Sequence, residues 1–227
     1  GFRHHAGVSE RHSRIALPPS RQTSSLAAFP RHRSSHELGL RQIWQKKHRL
    51  VMSDQREVRV LFSEAEIAQR VESMAEALSQ AKFQNLLVVA VLKGSFMFAA
   101  DLLRAMHRRG MKPQVEFVHL SSYLEGTVSQ GHVTILKDIE SDVTDRDVLL
   151  VDDILESGRT LAFAKDLLSA RGARKVMLGV MLEKPHKRVV QIEADYVGFK
   201  CPDEFVVGYG MDVAHNFREL PFIGVVA

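Results

Sequence analysis

A single cysteine, Cys201, occurs in 227 residues. That excludes an internal disulfide framework and a zinc site built on thiolates, and it fits a reducing compartment. No apolar run reaches the roughly 18 residues that a membrane-spanning helix needs. The Gly-Lys-Ser/Thr signature of a nucleotide-binding Walker loop is missing, and so is any internal repeat. Hydrophobic residues at 45% and charged residues at 26% are ordinary for a soluble globular chain, long enough for one substantial α/β domain or two small ones.

Acidic residues are scarce at one end only. Residues 1–51 carry ten Lys and Arg against two Asp and Glu, while the remainder carries 21 basic and 25 acidic residues. The formal charge of +4 and the pI near 9.3 therefore belong to the leader, and the rest gives no general footprint for nucleic acid. The leader runs through Pro18-Pro19-Ser20-Arg21 and Pro30-Arg31-His32-Arg33-Ser34-Ser35-His36 without sustained periodicity, too polar to offset its ordering entropy. Three origins compete: an organellar transit peptide, a disordered basic arm, or sequence upstream of a natural start at Met52. The lone Trp44 marks a short helix in that leader rather than a binding site. The expected division is thus 1–51 as leader and 52–227 as the domain. Its location is expected to be cytoplasmic, or organellar if the leader is a transit peptide.

From Met52 onward the pattern is regular. Ser63-Glu64-Ala65-Glu66 reads as a capping box, followed by Ile67, Val71, Met74 and Leu78 at helical spacing. Buried strands are expected at 86–92, 115–120, 148–151 and 176–182, with helices at 96–108 and 160–171 ended by Gly110 and Gly172. Shorter strands are expected at 133–136, 196–199, 205–208 and 223–226. Apolar strands alternating with helices imply an α/β fold with a mostly parallel sheet covered on both faces.

Most of the chemical information lies in Val151-Asp152-Asp153-Ile154-Leu155-Glu156-Ser157-Gly158-Arg159-Thr160. An apolar strand ends in two carboxylates, and a small-residue loop then opens a helix. A helix N-terminus offers unpaired N–H groups to a phosphate. Ser157 and Thr160 add hydroxyls, and Gly158 permits close backbone approach. Two acids beside a phosphate repel unless something lies between them, and a ribose diol or a divalent ion satisfies that condition. The bland alternative is a surface turn whose acids cap the next helix. Lys93-Gly94-Ser95 lies at another strand's carboxyl end, either as an anion site or simply as a helix start with a solvated lysine.

This stretch resembles the phosphoribosyl pyrophosphate signature of the type I phosphoribosyltransferases. Leu92-Lys93-Gly94-Ser95, Ser122-Tyr123, Glu183-Lys184 and Phe205-Val206-Val207-Gly208-Tyr209 are similar to its hypoxanthine-guanine branch, over roughly residues 57–227. The resemblance implies transfer of ribose 5-phosphate from phosphoribosyl pyrophosphate to a 6-oxopurine, in a domain with a small hood drawn from its N-terminal part and about 184–227. By the same resemblance Asp152 and Asp153 hold the ribose, and Ser157, Gly158, Arg159 and Thr160 hold its phosphate. Lys93, Gly94 and Arg218 contact pyrophosphate. Lys184 donates to the 6-oxo group, Phe205 stacks on the base, and the Val206 carbonyl accepts from a 2-amino group. Asp212, Asp152 and Asp153 are the implied Mg²⁺ ligands, and the stretch from Ser121 to about Ile135, with Ser122 and Tyr123 at its start, is the implied lid. Glu156 stands where the family usually has an aspartate that takes or shares the N7 proton. His215 is read as structural.

The pattern departs from the family at several points. Glu156 is one methylene too long, Asp152 stands for a glutamate, Ser157 for a threonine and Arg159 for a lysine. Two other readings follow. One is an RNA-binding regulator of pyrimidine genes on a uracil phosphoribosyltransferase-like fold, which needs a basic face that residues 52–227 lack. The other is a non-catalytic relative that binds nucleotide only. A homodimer or homotetramer is the implied assembly, with no nucleic-acid or membrane partner.

Overall fold

The computed structural model describes residues 57–123 and 132–226. The leader, Trp44 and the middle of the expected lid lie outside the described residues. The chain runs β1 (Val58–Phe62), α1 (Glu64–Gln80), β2 (Leu87–Leu92), α2 (Phe96–Arg108), β3 (Gln114–Tyr123), β4 (His132–Lys137), β5 (Asp147–Leu155), α3 (Arg159–Ala170), β6 (Lys175–Glu183), a 3-10 turn (Pro185–Lys187), β7 (Tyr196–Lys200), β8 (Val206–Val207) and β9 (Ile223–Val226). Ser122 and Tyr123 are thus the last residues of β3.

Local chemistry accounts for the first helix. Ser63 accepts from the Glu66 N–H at its side-chain oxygen, while the Ser63 N–H donates 2.8 Å to Glu66 Oε2, completing the capping box. Ile67, Val71, Met74 and Leu78 are all buried, so the apolar stripe faces the core.

Six strands form the main sheet in the order β4-β3-β2-β5-β6-β7. All neighbours are parallel except the β3–β4 pair. Strand alternation divides the core between the two faces. Val88, Ala90, Leu149 and Val151 pack against α1 and α2, whereas Leu87, Val89, Val148 and Leu150 pack with Leu161, Ala164 and Leu168 of α3. Both faces being covered explains the unbroken apolar runs.

The route of the chain places the site. From β2 the crossover through α2 leads outward to β3, and from the adjacent β5 the crossover through α3 leads the other way to β6. Where two crossovers diverge, a crevice opens beyond the strands' carboxyl ends. Both candidate loops, at 92–95 and 152–158, stand there.

A second sheet, β1-β9-β8, joins the beginning and end of the described domain. Within 184–227 this includes β8 and β9, but β7 belongs to the main sheet, alongside β6. Strand β1, Val-Arg-Val-Leu-Phe, suits a strand although it is not among the expected elements. Two of its residues are exposed, and antiparallel pairing with β9 holds it. Strand β5 is longer than its apolar run. Pairing of Asp152 with Val180 and of Leu155 with Glu183 carries it through both acids, overriding the poor strand preference of aspartate.

Candidate active site

Because β5 continues to Leu155, Asp152 and Asp153 are strand residues with side chains on opposite sides of the pleat, and the loop proper is Glu156-Ser157-Gly158. Gly158 has φ of 84° and sits at the N-cap of α3, which has no side-chain cap. The two aspartates therefore do not cap the helix, so the surface-turn reading fails. A side chain on Gly158 would strike Ile192, the Val190 carbonyl and Arg188. The Ser157 carbonyl accepts from the N–H groups of Val189 and Val190 at 2.9 and 3.0 Å, so residues 188–192 strap the loop in place.

The other loop closes on the same spot. The Leu92–Lys93 peptide is cis. Ser95 does not cap α2; its hydroxyl turns inward to the Val91 carbonyl at 2.5 Å. A Cβ on Gly94 would run into the Asp153 carboxylate, and one on Gly210 into the Gly94 carbonyl. Three segments distant in sequence thus meet, two of them backbone against backbone and the third through the Asp153 carboxylate. A cleft of about 290 Å³ lies between the loops, lined among others by Lys93, Gly94, Asp152, Asp153, Glu156 and Thr160. Ser157 and Gly158 also line it, whereas Arg159, the first residue of α3, does not.

Beside Gly210, Arg218 donates to its carbonyl at 2.5 Å and pairs with Asp212 Oδ1 at 2.5 Å. The two residues expected on the pyrophosphate side are therefore each other's partners. His215 donates its backbone N–H to Asp212 Oδ2 at 2.8 Å while its ring is exposed.

On the opposite side, Lys184 follows β6. Its side chain is 6% exposed and its ammonium lies 3.6 Å from Glu156 Oε1. Phe205 is 60% exposed, and Val206 is buried in β8 opposite Val225. The structure brings Lys184 to the loop before α3 through Glu156 and leaves the Phe205 ring open to solvent. Sequence reasoning gave no role to Gly210, to Lys187 or to the 188–192 strap. The doubled glycines Gly208 and Gly210 around Tyr209 were the signal available for the first; the strap has none.

Electrostatics separates these groups. Burial, reinforced by the charge of Asp153, pushes the Asp152 carboxyl well above the usual carboxylate range. Burial also raises Asp153, and Arg218 partly opposes that rise. Two adjacent acids that resist ionisation are a place where a cation or hydroxyl donors are wanted. Hard carboxylate oxygens suit Mg²⁺. Among the described residues no three His, Cys, Asp or Glu side chains form a ready metal cluster, so Asp152, Asp153 and Asp212 are not gathered into one protein cage. Burial raises the Cys201 thiol, which suits a core residue rather than a nucleophile.

Residues 60–214 match the model of the phosphoribosyl transferase domain. A hypoxanthine-guanine phosphoribosyltransferase of Streptococcus mutans is 40% identical over 77% of this chain and 96% of its own length. The crystal structure of a hypoxanthine phosphoribosyltransferase from Staphylococcus aureus superposes with a TM-score of 0.71 at 39% identity, over 78% of this chain and 95% of that one. The chain belongs to the phosphoribosyltransferase family, on its hypoxanthine-guanine branch. It is also 46% identical, over 74% of its length, to the bifunctional protein TilS/HprT of Listeria monocytogenes, of which the match spans 26%. The chain thus covers about a quarter of that relative.

Proposed function

We propose that this domain joins hypoxanthine or guanine to ribose 5-phosphate, taken from phosphoribosyl pyrophosphate, with release of pyrophosphate. One observation carries the reading. Glu156 lines the phosphate cleft and at the same time faces the ammonium of Lys184, so a sugar phosphate and a flat base would meet at one carboxylate.

In that reading the loop N–H groups and the hydroxyls of Ser157 and Thr160 hold the 5′-phosphate at the start of α3, with Arg159 adding charge nearby. Asp152 and Asp153 accept from the ribose hydroxyls, and their negative charge favours a cationic sugar carbon. The backbone of Lys93 and Gly94 and the guanidinium of Arg218 take the leaving pyrophosphate; a planar fork suits phosphate oxygens. Asp152 and Asp153 on one side and Asp212 on the other would each give carboxylate oxygens to a Mg²⁺ shell completed by substrate oxygens, and the ion would supply positive charge against the departing pyrophosphate. Lys184 donates to the 6-oxo oxygen and meets a donor in adenine, which it rejects. Phe205 stacks on the ring and the Val206 carbonyl accepts from the 2-amino group of guanine. Glu156 accepts the N7 proton as N9 bonds to the sugar carbon and the carbon–pyrophosphate bond breaks. Ser122 and Tyr123 would begin the lid that keeps water from that carbon, and the β1-β9-β8 sheet would form the hood.

Exposed Val115 and Phe117, two apart on one face of β3, are apolar surface that a homodimer or homotetramer would cover. Sedimentation measures it. The net acidity of residues 52–227 and the paired Lys184 and Glu156 favour this enzyme over an RNA-binding regulator. Product formation from hypoxanthine, guanine, xanthine, adenine and uracil, each with phosphoribosyl pyrophosphate and Mg²⁺, tests the proposal. Nucleotide from the first two and none from adenine or uracil is expected. Activity confined to uracil, or RNA binding without base transfer, would overturn it.

A further inference from the structure

Glu156 raises a geometric problem, since its extra methylene gives the carboxylate one more torsion to fix than an aspartate has. Two cations stand within 4.0 Å of it among the described residues. Lys184 Nζ lies 3.6 Å and Lys187 Nζ 3.5 Å from the same oxygen, Oε1. They are not equivalent. Lys184 is buried, whereas Lys187 is 45% exposed and is itself gripped by Asp203 at 2.7 Å. That contact, more than Glu156, strengthens the hold of Lys187 on its proton. The 3-10 turn Pro185–Lys187 places the two lysines so that they flank one carboxylate, and Asp203 lies two residues before Phe205.

We propose that Lys187 is a positioning residue, which shares Oε1 of the long Glu156 side chain with Lys184, so that the carboxylate is fixed in place and the buried Lys184 ammonium is not its sole counter-charge. The proposal rests on the transferase reading above. An ammonium has three donors, enough for Asp203 and Glu156 together. The Asp203 anchor restricts Lys187 before substrate arrives, so less ordering is left to the chemical step. The same chain of contacts, Glu156 to Lys187 to Asp203, ties the proton acceptor to the segment carrying Phe205.

A double-mutant cycle tests this. The constants kcat and KM for guanine and for phosphoribosyl pyrophosphate are measured in the wild type, Lys187→Met, Glu156→Asp and the double variant. Lys187→Met is expected to lower kcat about fivefold, the upper range of exposed ion-pair couplings, with KM for phosphoribosyl pyrophosphate and the melting temperature unchanged. In the Glu156→Asp background, where the shorter carboxylate needs no second cation, that loss is expected to vanish. Lys187→Arg is expected to retain most of the wild-type kcat. Equal losses in both backgrounds, no loss at all, or a fall in melting temperature that accounts for the loss overturns the role of Lys187. A wild type that forms no nucleotide from any purine base overturns the transferase reading instead, so the two failures are distinguishable.

Discussion

Strand β5 begins with one buried aspartate and carries two more near its end, and the two ends treat their charges in opposite ways. Asp147 at the start is 1% exposed, yet Arg174 pairs with it and the Gln84 N–H donates to it at 2.7 Å. Its carboxylate ties β5 to the chain entering β2 and to the residue before β6. Among the described residues no such cation pairs with Asp152 or Asp153 at the far end; the two carboxyls hydrogen-bond to each other, and the N–H group of the next residue donates to each at 2.9 Å. Arg218 acts on Asp153 only through space. A paired buried acid secures a fold, whereas two crowded, under-compensated acids cost stability that a ligand can restore. The sheet's amino-terminal edge is therefore a structural floor, and its carboxyl edge is the rim proposed above to bind substrate.

Substitutions at each end should separate the two properties. The largest effect is expected from Gly94→Ala. Its methyl group would displace the Asp153 carboxylate, and kcat/KM for phosphoribosyl pyrophosphate should fall about 10²-fold or more with the fold retained by circular dichroism. At the floor, Asp147→Ala should lower unfolding free energy in urea by about 2 kcal/mol, the scale for lost hydrogen bonds to a charged group, while KM values stay at wild-type levels. A KM change there, or intact stability, would erase the contrast. Phe205→Ala comes next. An exposed ring adds little to stability, so melting should not move, but KM for guanine should rise about tenfold, as loss of base stacking predicts.

The smallest expected effect is on pH dependence. Asp152 has its folded pKa raised, chiefly by burial. Its contribution is therefore fully present below the unfolded carboxylate value of about 3.9 and is lost as pH rises through the folded value. The ionised pair then opposes folding at neutral pH. Asp152→Asn should raise the Mg²⁺-free melting temperature at neutral pH by roughly 3 °C and flatten its decline with pH. An unchanged profile would show that Asp152 is already compensated.

Much of the architecture was legible in the residues. Helix 96–108 and strand 223–226 have the expected bounds, and the capping box at Ser63 starts α1. Strands 148–151 and 115–120 were read short, because pairing with β6, and of β3 with β4, extends them into polar residues that local propensity disfavours. Strand β1 is absent from the expected elements although its residues, Val58-Arg59-Val60-Leu61-Phe62, suit a strand. The stretch from Asp152 to Thr160 could be singled out as a candidate because its residues are contiguous. The Asp212–Arg218 pair, the approach of Gly210 to Gly94 and the second cation on Glu156 could not, since each joins residues separated by turns or whole elements.

What the sequence determined by itself was the alternation of apolar runs, and hence a two-faced parallel sheet, together with a list of side chains suited to sugar, phosphate and oxo-base. Only the tertiary structure decided which of them meet. The divergence of the crossovers after β2 and β5 sets the two loops side by side, and the missing side chains of Gly94 and Gly210 let two backbones and the Asp153 carboxylate come together. Periodicity is a local property of the chain, whereas a site is a set of distances between segments that are brought together by packing.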